Sequence, residues 1–199
     1  MESNKVVLPG VRDVRATIDL PDGEANAVTV ACPPHPEFGG NRSDNRLVAL
    51  GEVLAERGVA CLRFDYGEWD EGYGEREDAR NALRWARERH DRVGVFGFSF
   101  GGGVAALAGA DEGADAIALL APASRLAEDL DAVAALDAVE VPLKVVYGTR
   151  DDTANWKPLV ERAEELGFET EAFGADHFFV GQERKVAGRV GEFLVEHLG

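Results

Sequence analysis

Gly97-Phe98-Ser99-Phe100-Gly101 reads G-x-S-x-G, and Gly102 and Gly103 follow it directly. A serine in this setting can act as a nucleophile. The residues before it, 92–98 (RVGVFGF), have the composition of a buried strand, and those after it, 100–110, are small and suit a helix. A strand that turns straight into a helix strains the corner residue and crowds its neighbours, so the flanks must be glycine. The hydroxyl then projects above the sheet, beside the free N–H groups and positive potential of the helix start. The pattern arises by chance in a chain with 23 glycines. Its strand and helix flanks therefore carry the weight.

Such a serine needs a base. Of the four histidines, His90 ends a charged helical stretch and His197 lies in the last one, so both are expected to be solvated. His35 follows a strand but precedes Ser99. His177 follows the last predicted strand, in Gly174-Ala175-Asp176-His177-Phe178-Phe179, and is the candidate base. An imidazole can take the serine proton and later return it to the leaving group. The imidazole in turn needs a carboxylate to fix its tautomer and stabilise its cation. Asp151 and Asp152 follow the predicted strand 141–147. Asp151 is the preferred orienting acid; the bland alternative is that both merely cap the helix starting near Trp156. Asp176 is read as a loop acid, because neighbouring side chains on a loop diverge.

These residues must be held by something regular. Strand-length apolar runs fall at 11–20, 27–32, 59–64, 92–98, 114–121, 141–147 and 168–173. Between them lie segments of helical period at 45–57, 75–90, 100–110 and 156–166, with a last one at 183–197. Several runs are apolar on both faces, which calls for a mostly parallel sheet of about seven strands covered by helices on each side. No repeat or linker interrupts the chain, so residues 1–199 are expected to form a single α/β domain. Ligands of such sheets bind outside the carboxyl ends of the strands. His35, Asp65, Ser99, Pro122, Asp151 and His177 all stand just after predicted strands.

Taken together the residues carry a resemblance. The chain resembles the small α/β-hydrolases of the dienelactone-hydrolase-like group over roughly residues 26–195. Besides the serine corner, the matching segments are Pro34-His35-Pro36-Glu37-Phe38-Gly39-Gly40, Arg63-Phe64-Asp65-Tyr66, Gly74-Glu75-Arg76-Glu77-Asp78 and the loop from Gly174 to Phe179. The order Ser99, Asp151, His177 is the α/β-hydrolase order. The resemblance implies a hydrolase fold, a Ser-His-Asp triad and an oxyanion hole of two backbone N–H groups, placed by position at Phe100 and Glu37; Pro36 has no N–H to offer. Dienelactone hydrolases proper use a cysteine nucleophile, so Ser99 does not imply cleavage of that lactone. Only residues 122–140 stand where lipases and many esterases insert a cap, too few for a lid domain. An open, shallow pocket is expected, with Phe38, Tyr66, Trp69 and Phe178 as substrate contacts and Phe100, Trp156 and Phe179 as further edges.

Composition narrows the partners. Among 199 residues, 37 acidic side chains face 21 basic ones, for a formal charge of −16. Such a charge repels nucleic acid phosphates and anionic membranes. The basic residues are 17 Arg and only 4 Lys. A carboxylate-rich, lysine-poor surface is what a protein soluble in molar salt carries, since like-charge repulsion there is screened over about 3 Å. The expected result is a higher melting temperature in molar KCl than in dilute buffer; equal values would refute salt adaptation. Cys32 and Cys61 show no metal-ligand spacing and are expected as buried thiols in a reducing compartment. MESNKVVLPG lacks the features of a signal peptide, and no apolar stretch is long enough to span a membrane. The expectation is a cytoplasmic enzyme without metal or cofactor, acting on a small ester, thioester or related acyl bond. Its oligomeric state is not legible. An acyltransferase with the same triad and a non-catalytic binding module on the hydrolase fold are the alternatives. A phosphate-binding role for the glycine run is the weakest alternative, because no Gly-Lys-Ser/Thr follows it.

Overall fold

The computed structural model describes residues 2–10, 12 and 14–199. Val11 and Asp13, at the start of the predicted strand 11–20, lie outside the described residues. The described strands and helices run β1 (Glu2–Leu8), β2 (Val14–Leu20), β3 (Ala27–Cys32), α1 (Asn45–Ala55), β4 (Ala60–Phe64), α2 (Tyr73–Arg87), β5 (Arg92–Phe98), α3 (Phe100–Glu112), β6 (Ala116–Leu120), α4 (Ala132–Ala135), β7 (Leu143–Gly148), α5 (Lys157–Glu165), β8 (Glu169–Phe173) and α6 (Glu183–Leu198). Among the described residues the strands form one eight-stranded sheet in the order β1-β2-β4-β3-β5-β6-β7-β8. β1 and β2 are antiparallel, β2 pairs antiparallel with β4, and all other pairs are parallel.

The alternation of side chains in the central strands decides what each face buries. Val28, Val30, Leu62, Phe64, Val93, Val95, Ile117 and Leu119 pack with residues of α2, α3, α4 and α5. Ala31, Cys61, Phe96, Phe98, Ala118, Leu120 and Val146 pack instead with α1 and α6. Both cysteines are buried, and burial pushes their thiols well above the ordinary range.

The eighth strand is the one that periodicity did not yield. β1 buries only Leu8, with Val7 left 74% exposed, so it carries no apolar face to read. It is an edge strand held by its ladder to β2 and by Ser3, whose hydroxyl donates to Asp19 Oδ1 at 2.7 Å. Asp19 is buried and forms a two-pronged pair with Arg63 of β4, at 2.6 and 2.9 Å. α2 also starts earlier than residue 75. The buried Glu75 carboxylate accepts from Gly72 N at 2.8 Å and Asp70 N at 3.0 Å, which caps the helix from its third position. His90 is half-buried rather than solvated, with Nδ1 2.9 Å from Ala25 O.

Asp78, one turn beyond Glu75 on α2, is buried and accepts from Gly67 N at 2.9 Å, which fixes the loop after β4. Arg12 stands 3.2 Å from its other oxygen. Burial outweighs both contacts and raises the Asp78 carboxyl to about 6 from 3.8. The folded chain thus holds this proton more tightly than the unfolded chain does. The resulting stabilisation is full below pH 3.8 and is lost as pH rises through about 6. The stability of wild type relative to Asp78→Asn is expected to fall by ~2 kcal/mol between pH 4 and pH 7, at 1.36 kcal/mol per unit. Urea melts of both proteins across that range measure it; parallel curves would contradict the assignment.

The arginine excess is visible between α2 and α3. Arg76, Arg80, Arg84 and Arg87 reach Asp111, Glu112 and Asp115 at 2.6–2.8 Å. Guanidinium forks suit these shared carboxylates better than ammonium groups would.

Candidate active site

The carboxyl ends of β3, β5, β7 and β8 open on one edge of the sheet, and each carries a residue singled out above. Ser99 sits between β5 and α3 at φ 59°, ψ −120°, a conformation that costs a non-glycine residue about 1–3 kcal/mol. The surroundings enforce it. Ser99 N donates to Leu120 O and its carbonyl accepts from Ala123 N, both at 2.9 Å, which ties the corner to the end of β6. A Cβ on Gly97 would stand 1.9 Å from Gly101 O, and one on Gly101 would stand 2.3 Å from the carbonyl oxygens of Cys32 and Pro33. Backbone thus touches backbone on both sides of the serine. Gly101→Ala is expected to destabilise the fold by ~3 kcal/mol or more, because neither carbonyl can retreat without moving β3. A urea midpoint within error of wild type would refute this.

The structure brings Ser99, His177 and Asp151 into one hydrogen-bonded line. His177 Nε2 is 2.9 Å from Ser99 Oγ, and His177 Nδ1 is 2.8 Å from Asp151 Oδ2. An ionised carboxylate only accepts, so Nδ1 carries the proton and Nε2 is free to accept from the serine hydroxyl. The other Asp151 oxygen accepts from Thr153 N at 2.9 Å and Ala154 N at 3.1 Å, and the side chain is fully buried. The carboxylate therefore orients the ring and also shapes the turn into α5. Asp152 is exposed. Asp176 accepts from Phe178 N and Phe179 N at 3.0 and 3.1 Å and so closes the turn behind His177. Gly148 lets the two loops meet: a Cβ there would lie 2.6 Å from Ala175 O and 2.9 Å from Asp176 O.

Phe100 is the first residue of α3, where a helix leaves its N–H without an intrahelical acceptor. Glu37 lies in a short 3-10 turn, Pro36–Phe38, after β3. Its N–H is directed at His35 Nδ1 at 3.3 Å. That contact is long and weak, and Glu37 reaches an oxyanion only by giving it up or sharing it. Burial holds His35 below the ordinary imidazole range.

Two cavities meet at the serine. The first, about 260 Å³, is lined by Pro34, His35, Phe38, Phe98, His177 and Phe178 around Ser99. The second, about 380 Å³, is lined by Trp69, Phe100, Ala123, Ser124, Leu126 and Asn155. Ser99, His35, Phe38 and Thr153 border both. Phe38, Trp69, Phe100 and Phe178 line these cavities. Tyr66, Trp156 and Phe179 do not: they line neither cavity and pack in the core. Tyr66 packs edge-on against Phe100 and donates to Pro33 O at 3.0 Å, so it supports the loop rather than touching a ligand. Trp156 stacks on Tyr147 and donates to Asp151 O at 3.1 Å.

Arg46, in the first turn of α1, escaped sequence reasoning. Its guanidinium lies 4.4 Å from the Phe98 ring centroid, donates to Phe178 O at 3.2 Å and pairs with Asp44. Phe98 in turn packs on the His177 ring at 5.1 Å. Arg46 thus braces the imidazole from behind, and a helix-surface arginine gives no sequence signal of that. Among the described residues no group of three or more His, Cys, Asp or Glu side chains is placed to hold a metal ion. No described helix is long and apolar enough to cross a membrane.

No family model matches this chain, and no curated protein matches its sequence. Solved structures do match. An α/β serine hydrolase without lid from Xanthomonas campestris superposes with a TM-score of 0.81 at 22% identity, covering 99% of this chain and 95% of that one. Est1E from Butyrivibrio proteoclasticus gives 0.82 at 18% identity over 97% and 98% of the two chains. A dienelactone hydrolase from Anabaena variabilis gives 0.79 at 22% identity over 100% and 99%. At these identities the likeness establishes the architecture, an α/β-hydrolase fold without a cap domain.

Proposed function

We propose that this chain, built on the α/β-hydrolase fold, is a serine hydrolase that cleaves a small ester, thioester or related acyl bond. The observation that carries the reading is the unbroken line from Ser99 Oγ through His177 to the buried Asp151, at 2.9 and 2.8 Å. It stands at a strained corner beside the start of a 13-residue helix. In this reading Ser99 Oγ attacks the acyl carbon as its proton passes to His177 Nε2. The carbonyl oxygen becomes an oxyanion, met by the Phe100 N–H and, once released from His35, by the Glu37 N–H. Asp151 stabilises the imidazolium. The bond to the leaving group breaks, that group takes the proton from Nε2, and an acyl-serine remains. Water then attacks the acyl carbon with His177 as base, the Ser99 Oγ–acyl bond breaks, and Nε2 returns the proton to Oγ. Carboxylic acid and free enzyme result.

Further support comes from what the cleft lacks. The segment 122–140 contributes only α4 and a 3-10 turn, Leu136–Ala138, so water has open access to the acyl-serine. That favours hydrolysis over transfer to a second acceptor. A fluorophosphonate probe tests the reading directly, with mass spectrometry to locate the adduct. Modification of Ser99 and turnover of short p-nitrophenyl esters are expected, and an unmodified Ser99 would overturn it.

A further inference from the structure

The two cavities beside Ser99 are not equivalent with respect to the proton. His177 lines the 260 Å³ cavity and is absent from the wall of the 380 Å³ one, which holds Phe100 instead. Returning the serine proton to the departing oxygen requires that oxygen within hydrogen-bond reach of His177 Nε2. A leaving oxygen in the cavity that His177 lines meets that requirement, with the acyl half then running past Phe100 into the other.

We infer that the cavity beside His177 is a site for a flat aromatic alcohol, so that the substrates are aryl or arylmethyl esters; this rests on the serine-hydrolase reading above. The walls are rings. Phe38 lies 4.7 Å from the His35 ring, Phe178 meets the His177 ring edge-on at 5.2 Å, and Phe98 packs behind His177. Phe38 is 87% exposed and Phe178 51%. Two phenylalanines left open at a cavity mouth offer faces and edges that an entering ring would cover at ordinary aromatic spacing. The polar edge of this cavity is Asp44 with Arg46, which pair with each other. The site therefore has no spare charge for an ionised ligand. The acyl cavity shares His35 and Phe38 with it and adds Trp69, Phe100 and Leu126 beside Ser124, Arg125 and Asn155, but Phe178 and His177 line only the alcohol side.

The test compares matched esters that differ only in planarity. Benzyl acetate and cyclohexylmethyl acetate have leaving groups of similar reactivity, one flat and one puckered. The wild-type kcat/KM is expected to favour benzyl acetate on the order of 10-fold, through KM, from two or three aromatic contacts. In the double variant Phe38→Leu, Phe178→Leu that ratio is expected to collapse to within about twofold, while the melting temperature holds because both side chains are exposed. For methyl phenylacetate and methyl cyclohexylacetate, which put the same rings on the acyl side, the ratio is expected to be unchanged by Phe178→Leu alone, because Phe178 lines only the alcohol cavity.

Equal rates on the two acetates would overturn the inference, as would a ratio that survives the double variant. A preference confined to the acyl-side pair would also overturn it by reversing the cavities. Fluorophosphonate labelling separates the two levels: a labelled Ser99 without benzyl acetate hydrolysis sinks the aromatic site alone. An unlabelled Ser99 sinks the hydrolase reading and this inference together.

Discussion

Replacing Ser99 with alanine is expected to lower kcat/KM toward p-nitrophenyl esters by on the order of 10⁴- to 10⁶-fold and to abolish fluorophosphonate labelling. Only Oγ is lost. The strained φ of 59° and the backbone bonds to Leu120 and Ala123 do not depend on the hydroxyl, so the variant should fold and melt like wild type. His177 keeps its bond to Asp151 and remains a base with nothing to activate except water. A small residual rate above water is consistent with the Phe100 amide still polarising the carbonyl. Retention of more than about a tenth of the activity by a correctly folded variant would remove Ser99 from the chemistry.

The second large effect is expected from Asp151→Asn. The asparagine Oδ1 can still accept from Thr153 and Ala154, so the turn into α5 is retained. Its NH₂ then faces His177 Nδ1. A donor in that place makes Nδ1 the acceptor and moves the ring proton to Nε2, where it points at Ser99 instead of accepting from it. A loss of about 10⁴-fold in kcat with little change in KM follows from that wrong tautomer. Asp152→Asn is the control, because Asp152 is exposed, and less than a twofold effect is expected there. The reverse ranking of the two variants would move the orienting role to Asp152.

The three residues that meet in one hydrogen-bonded line were legible as candidates because their surroundings are local. Ser99 announces itself by glycines that must touch backbone, and His177 and Asp151 by standing at strand ends. β1 was not legible, because an exposed edge strand such as ESNKVVL has no buried face to pattern. The sequence points Tyr66, Trp156 and Phe179 toward the cleft, because an aromatic that fills the core has the same sequence appearance as one that lines a pocket. Only the packing of β4, α5 and the His177 loop separates them. The engagement of the Glu37 amide by His35 depends on one side-chain rotation, and the brace by Arg46 depends on α1 meeting a loop 132 residues away. Neither leaves a period or a motif.

Within segment 122–140, α4 packs onto α3 and α5, and residues 123–126 form a side wall of the cleft at Ser99. On the serine-hydrolase reading, no described element would have to move to admit a ligand to this cleft. Ligand exchange is then a matter of diffusion across an open rim, with no slow conformational opening to cap the turnover number. Solvent viscosity should bear on encounter and release alone, and the slow step of the cycle falls to the making and breaking of the acyl bond itself.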